Sequence, residues 1–299
     1  MKTLRHGAEF LFLFLIFNAF RMLPLDIASA AGGWLGRCIG PFLGAHRIAQ
    51  RNLTRALPEL PEAERRRILA GMWDNLGRVF AEYPHLEEIC KNRVAIVHPE
   101  ILLDALQAGS GGLFISGHLA NWEISCATPM VQYGKEVEIT YRAPNNPYTD
   151  ALLIRTRSLG RRIRHHTKSR EGGRSMMAAL KQGRVLGMLI DQKYNEGLAV
   201  PFFGQPAMTN PVFVQMAQRY KGFLIPARME RLDGAHFRMT SYPPLALVDQ
   251  AGYPRTAEDV LAEAHRLLEE WIRERPEQWL WIHKRWDSKN PAAEISSES

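Results

Sequence analysis

Between residues 111 and 241, apolar runs of four to six residues alternate with longer stretches of helical period, and glycine recurs where one gives way to the next. This alternation constrains the chain more than any other feature. A short apolar run bounded by turn residues forms a buried strand, and strands alternating with helices build a mixed, mostly parallel sheet flanked by helices, an α/β fold. Gly111-Gly112 opens Leu113-Phe114-Ile115-Ser116, which ends in Gly117-His118, so a strand leads into a tight turn. Residues 136–141 and 185–190 predict two more strands, the latter ending at Asp191, with a helix over 173–182 closed by Gly183. A helix over 211–220 stops at Gly222, and a strand over 223–227 follows. Asp233-Gly234 then joins that strand to 236–241 as a hairpin. Residues 256–275 form a long closing helix with Pro276 past its end.

The amino-terminal part reads differently. Phe10 to Phe20 is strongly apolar, preceded by Lys2, Arg5 and His6 and followed by Arg21. A span needs about 20 apolar residues, which this run reaches only by tolerating Arg21 and adding residues 22–31, so it sits between a span and an in-plane anchor. A signal peptide with cleavage near Ala28-Ser29-Ala30 and a buried core helix are the other readings. A non-cleaved hydrophobic membrane-anchoring helix is the one preferred. Residues 45–86 carry Arg and Glu among Leu, Ile and Met at helical spacing, broken by Pro58 and Pro61, and form a helical layer. The resulting organisation is an anchor over 1–31, one α/β domain over 32–290 and a polar tail over 291–299.

The 299 residues carry 38 Lys and Arg against 31 Asp and Glu, a net charge of +7. Between Arg155 and Arg174 eight basic residues face Glu171 alone, which accounts for the whole excess. Such a segment attracts phosphate-bearing lipids or acidic proteins. It contains no aromatic residue on which bases could stack, which argues against nucleic acid. Cys38, Cys90 and Cys126 are widely spaced with no CxxC pair, so they read as reduced and cytosol-facing. No nucleotide-binding glycine motif appears, and His165-His166 lacks further ligands at metal spacing and reads as part of the cationic surface. No metal and no cofactor is therefore expected. Trp271, Trp279, Trp281 and Trp286 read as packing or interfacial anchors.

The chemistry concentrates in Gly117-His118-Leu119-Ala120-Asn121-Trp122-Glu123. A histidine at a strand end can serve as a general base near neutral pH, and a carboxylate can orient its ring. On one continuous helix, a spacing of five would point the two side chains roughly 140° apart. They can meet only if His118 lies in the turn and Glu123 in a first helical turn.

With this block the sequence resembles the bacterial lipid A biosynthesis (lauroyl or myristoyl) acyltransferases, within the lysophospholipid acyltransferases. His118 through Glu123 is similar to that family's histidine, four residues, acidic residue motif. Outlying blocks follow in order: Arg51-Asn52-Leu53 with 56–60, 179–183 leading to Asp191-Gln192, Pro201-Phe202-Phe203-Gly204 with Thr209, and 276–281 with His283, Arg285 and Trp286. The resemblance covers residues 5–287. It implies a glycerolipid acyltransferase-like fold and transfer of a fatty acyl chain from acyl carrier protein to a hydroxyl of a phosphorylated glycolipid acceptor, a lipid A precursor. That reaction belongs at the bacterial inner membrane, with the catalytic domain on the cytoplasmic face.

In that reading His118 takes the proton from the acceptor hydroxyl, and Glu123 holds His118 and favours its charged state. Arg155 or Arg157, or backbone amides after His118, stabilise the oxyanion. Asp191 and Gln192 line the site together with Asn121 and Trp122, and Phe202-Phe203-Gly204 has two readings, a wall of an acyl channel or core. Relatives often carry a basic residue where Asp287 stands and Arg where Lys284 stands, which leaves another glycolipid or lysophospholipid as an alternative acceptor. A non-catalytic, membrane-bound lipid-binding protein is the alternative from another class.

Overall fold

The computed structural model describes residues 2–159, 163–167 and 169–286. The tail expected over 291–299, and Arg161, Arg162 and Lys168 of the basic run, lie outside the described residues. The amino-terminal layer comprises α1 (Lys2–Arg21), α2 (Leu25–Ile39), α3 (Gly44–Ala56), α4 (Glu62–Glu82) and α5 (Leu86–Asn92). There follow β1 (Val94–Val97), α6 (Pro99–Gln107), β2 (Gly112–Ser116), α7 (Ala127–Tyr133), β3 (Glu138–Tyr141), α8 (Pro147–Arg157), β4 (His165–Thr167), α9 (Arg170–Lys181) and β5 (Val185–Leu189). The chain closes with β6 (Leu198–Phe202), β7 (Gln205–Thr209), α10 (Val212–Arg219), β8 (Phe223–Arg231), β9 (Phe237–Ser241) and α11 (Ala257–Glu274).

The main sheet has the order β1-β9-β8-β2-β5-β3-β4. Its pairs are parallel except β8 with β9, so the expected mixed, mostly parallel α/β architecture is what the chain forms. Strand β2 lies inside the sheet and is buried along its whole length, which is why it reads as a continuous apolar run. Leu113 and Ile115 face one apolar cluster with α10 and α11, whereas Phe114 faces a second with α5 and α7.

Several boundaries move for identifiable reasons. Helix α9 begins at Arg170 because the Ser169 hydroxyl accepts the Gly172 N–H at 3.1 Å and caps it. Helix α8 was not expected. It starts where Asn146 accepts the Tyr148 and Thr149 N–H groups and Pro147 occupies the first position. Strand β8 runs on to Arg231 because Ala227 to Arg231 pairs with β9, and that pairing overrides the polar Arg228, Glu230 and Arg231. The Phe202-Phe203-Gly204 segment, open between an acyl-channel wall and core, makes the turn of the β6–β7 hairpin, with Phe203 and Gly204 at positive φ (51° and 67°), the signature of a two-residue I′ turn.

The amino-terminal residues correct the expected anchor. No helix among the described residues is long and apolar enough to cross a membrane. Helix α1 ends at Arg21, and Pro24 starts a second helix, α2, which lies against α4. There the two backbones touch: a Cβ on Gly36 would run into the Trp73 carbonyl, and one on Gly77 into that of Gly32. Part of the anchor segment is therefore a packed layer of the protein. Gly36→Leu is expected to force α2 off α4 and cost about 1–3 kcal/mol, read as a lower denaturation midpoint at unchanged m value.

Candidate active site

The site grows out of the pairing of β2 with β5. These strands run parallel with Ser116 opposite Leu189, and the Ile190 N–H donates to the Ser116 carbonyl at 2.9 Å. Two residues further on, the same register sets His118 opposite Asp191 at the carboxyl end of the sheet, where α/β folds place their ligands. Asp191 is buried and accepts three hydrogen bonds, each 2.7 Å long: from the His118 backbone N–H, the His118 ring Nδ1 and the Trp279 indole Nε1. Burial alone would raise this carboxyl, yet the charge and hydrogen bonds of His118 hold it well below the usual carboxylate range. Gly117 permits the approach, because a Cβ there would come within 3.2 Å of Asp191 Oδ2.

The loop after His118 is strained and held from outside. Ala120 adopts φ 49°, a left-handed conformation that costs an alanine about 1–2 kcal/mol. Its N–H donates to the Gln278 carbonyl at 2.9 Å, its carbonyl accepts from Asn75 Nδ2 at 3.0 Å, and the Leu280 N–H donates to the His118 carbonyl at 3.1 Å. With Nδ1–H committed to Asp191, His118 Nε2 presents a lone pair to the cleft. Gln192 Nε2 lies 3.3 Å from it and 3.4 Å from His283 Nε2. The rings of His283 and Trp122 pack on His118 at centroid distances of 4.7 and 5.2 Å.

Glu123 does not take the role expected of it. Its carboxylate accepts from Arg157 Nε at 2.5 Å and Arg157 Nη2 at 2.7 Å, and from the Trp122 indole at 2.9 Å. Tyr83 Oη accepts from the same guanidinium at 3.1 Å. Burial pushes the Glu123 carboxyl up, but Arg157 outweighs it and leaves the group below its ordinary value. The carboxylate that orients His118 is therefore Asp191, and Glu123 is linked to the histidine through Trp122, whose indole it holds and whose ring packs on His118.

His118, Trp122, Glu123, Arg157 and Gln192 line one cleft of about 210 Å³. Asn121 does not face it: the side chain is buried and donates to Glu82 at 2.8 Å. Arg155 is exposed and borders a separate groove between α1 and α8. From His118 the cleft runs along the sheet to Phe114, Val137, Gly187, Ala227 and Met239, an apolar end. A Cβ on Gly187 would strike Cys126 Sγ, so the glycine makes room for that thiol in the wall, and a larger residue there would push it toward the cleft. Burial pushes the Cys126 thiol up to about 12, which makes it a neutral wall.

Of the two readings of residues 202–204, Phe202 takes the core one: it is fully buried against Trp279 and Trp286, away from the cleft. The reading of His166 changes. His166 is buried too, with Nε2 2.6 Å from Glu138 and Nδ1 3.0 Å from Ser175, so it is not surface charge. Trp279, read as packing, packs and also donates to Asp191. His283 and Tyr83 were not picked out as site residues. The one signal that could have found Asp191's partner is that two predicted strands end in Gly-His and in Asp at matching offsets.

The family model described as bacterial lipid A biosynthesis acyltransferase matches residues 1–288. The lipid A biosynthesis palmitoleoyltransferase of Escherichia coli (strain K12) is 26% identical over 288 residues, 92% of this chain and 89% of the relative. The lipid A biosynthesis acyltransferase of Shigella flexneri matches equally, at 26% over 92% and 89% of the two chains. The lipid A biosynthesis lauroyltransferase of Escherichia coli (strain K12) is 26% identical over 279 residues, covering 89% and 87%.

Asp191 and Glu123 both titrate lower in the folded chain, so their contribution to stability is complete above their unfolded values near pH 4 and is lost as pH falls through the folded ones. Asp191→Asn is expected to give a shallower acid limb of unfolding free energy against pH, measured by denaturant titration between pH 6 and 3.

Proposed function

The chain belongs to the bacterial lipid A biosynthesis acyltransferases, and from that premise we propose that it moves a fatty acyl chain from acyl carrier protein to a hydroxyl of a lipid A precursor, a secondary acylation in lipopolysaccharide assembly. The observation that carries this reading is His118, its Nδ1 2.7 Å from buried Asp191 and its other nitrogen turned into a cleft with an apolar end. In the proposed reaction the acceptor hydroxyl displaces the Gln192 amide from Nε2. As the hydroxyl oxygen attacks the thioester carbonyl, Nε2 takes its proton, and Asp191 stabilises the imidazolium. The tetrahedral intermediate collapses, the C–S bond breaks, and the same proton passes to the departing thiolate. Arg157 lines the cleft and is the cation offered to the oxyanion, held in place by Glu123. The apolar end takes the acyl chain.

Acyl carrier protein is acidic, and the exposed Arg164, Arg170 and Arg174 suit such a partner. The seat proposed with this reaction is peripheral, on the cytoplasmic face of the inner membrane where the acyl donor is met, and the apolar side chains that α1 and the α2–α3 corner leave in solvent support contact with a bilayer. Phe12 is 65% exposed, Met22 81% and Phe42 88%.

The test is transfer by purified protein in detergent from a panel of acyl carrier protein thioesters, with a lipid A precursor and a lysophospholipid as acceptors and product mass as the readout. His118→Ala is expected to lower kcat by about 10²–10⁴, and Asp191→Asn by a comparable factor through loss of the correct tautomer. Full turnover in His118→Ala would overturn the mechanism, and transfer only to lysophospholipid would replace the acceptor. Gly187→Ala is expected to shift the preferred donor to a shorter chain in the same assay.

A further inference from the structure

We infer that the groove between α1 and α8 is a second lipid site, which binds the phosphate headgroup of an anionic bilayer lipid beside the catalytic cleft. The inference rests on the proposed membrane seat. Helix α1 is clasped at both ends. Asn146 Nδ2 donates to the His6 carbonyl at 2.9 Å at one end, and His85 Nε2 lies 3.0 Å from the Phe20 carbonyl at the other. Between the clasps a groove stays open. Phe14, Phe17 and Arg21 line it from one face of α1, at spacings of three and four, and Leu152 and Arg155 from α8, with Leu159 just beyond.

Two guanidinium groups therefore stand at an apolar trough. Both lie near helix carboxyl ends, where a cation offsets the terminal carbonyls, yet neither makes a hydrogen bond or ion pair among the described residues. One carboxylate, Glu87, shares the lining. The trough is continuous with the outward side of α1, where Leu11 is 56%, Phe12 65% and Leu15 61% exposed. A ligand that satisfies both features has a compact anion joined to hydrocarbon, and the anion is held by forked donors. The location gives the site a consequence. Tyr83 lines this groove and bonds to Arg157, which lines the cleft, so one shared wall separates bound lipid from the reacting groups.

The experiment is co-sedimentation of the full chain with phosphatidylcholine vesicles and with phosphatidylcholine vesicles containing phosphatidylglycerol, with and without excess inorganic phosphate. Wild type is expected to prefer the anionic vesicles. The Arg21→Gln, Arg155→Gln double variant is expected to lose about fivefold in partitioning per arginine, while Arg47→Gln, Arg51→Gln on the exposed side of α3 retains more of the preference. Thermal unfolding checks that both variants fold. Equal loss in the two double variants would reduce the effect to general surface charge and overturn the site. Equal binding to both vesicle types would overturn the site and leave the membrane seat standing. Binding to neither would overturn the seat itself. Inorganic phosphate is expected to weaken the preference more than sodium chloride at the same ionic strength, and equal weakening by the two would reduce the effect to screened surface charge and overturn the site.

Discussion

The buried carboxylate of Asp191 is the interaction on which the site depends. It receives the backbone and ring N–H groups of His118 and the indole N–H of Trp279, and so joins the ends of two parallel strands to the segment after the closing helix. An unpaired carboxylate at 1% exposure would be expelled or protonated; three short hydrogen bonds make it tolerable as an anion. The charge retained in this way fixes the imidazole tautomer and aims Nε2 at the cleft. Asn52 steadies the same carboxy-terminal segment by donating to the Trp281 carbonyl at 2.7 Å and the His283 carbonyl at 2.5 Å.

A second buried charge carries the frame around it. Glu82, at the end of α4, is fully buried and paired with Arg231 of β8 at 2.5 and 3.0 Å. It also accepts from Ser29 of α2 at 2.7 Å and from Asn121 at 2.8 Å. The helical layer, the sheet and the loop after His118 thus meet on one carboxylate. Removing a single partner from such a pair typically costs about 3–5 kcal/mol, because the remaining charge stays buried. Asn121, first read as a substrate contact, serves here as a fastening, which explains an asparagine that never faces the cleft.

The sheet was legible because its strands are short, apolar and bounded by glycine, and the closing helix because Thr256 and Pro276 bracket it. What escaped local reading depends on distant partners. Strand β4 is three residues long and is ordered by β3 and by the buried His166–Glu138 contact. The second half of β8 is polar in sequence and becomes a strand through β9. Of the site, His118 was legible as a histidine at a strand end, and Asp191 as a strand terminus. Their pairing was not, because adjacency in a sheet is not a property of either segment, and the nearer acid, Glu123, drew the role that belongs to Asp191.

The sequence by itself determined the α/β class, the turn that carries His118 and a family motif strong enough to direct attention to acyl transfer. Hydrophobic period and turn chemistry act over a few residues, so they survive in one dimension. Only the tertiary structure decided which carboxylate faces the imidazole, that Arg157 is held by Glu123, that Arg155 borders a different groove and that the segment after Pro24 packs on α4. Each of these turns on strand order, register or helix contact between residues about 35 to 140 positions apart, and burial at those contacts sets which charges can persist and what they are able to do.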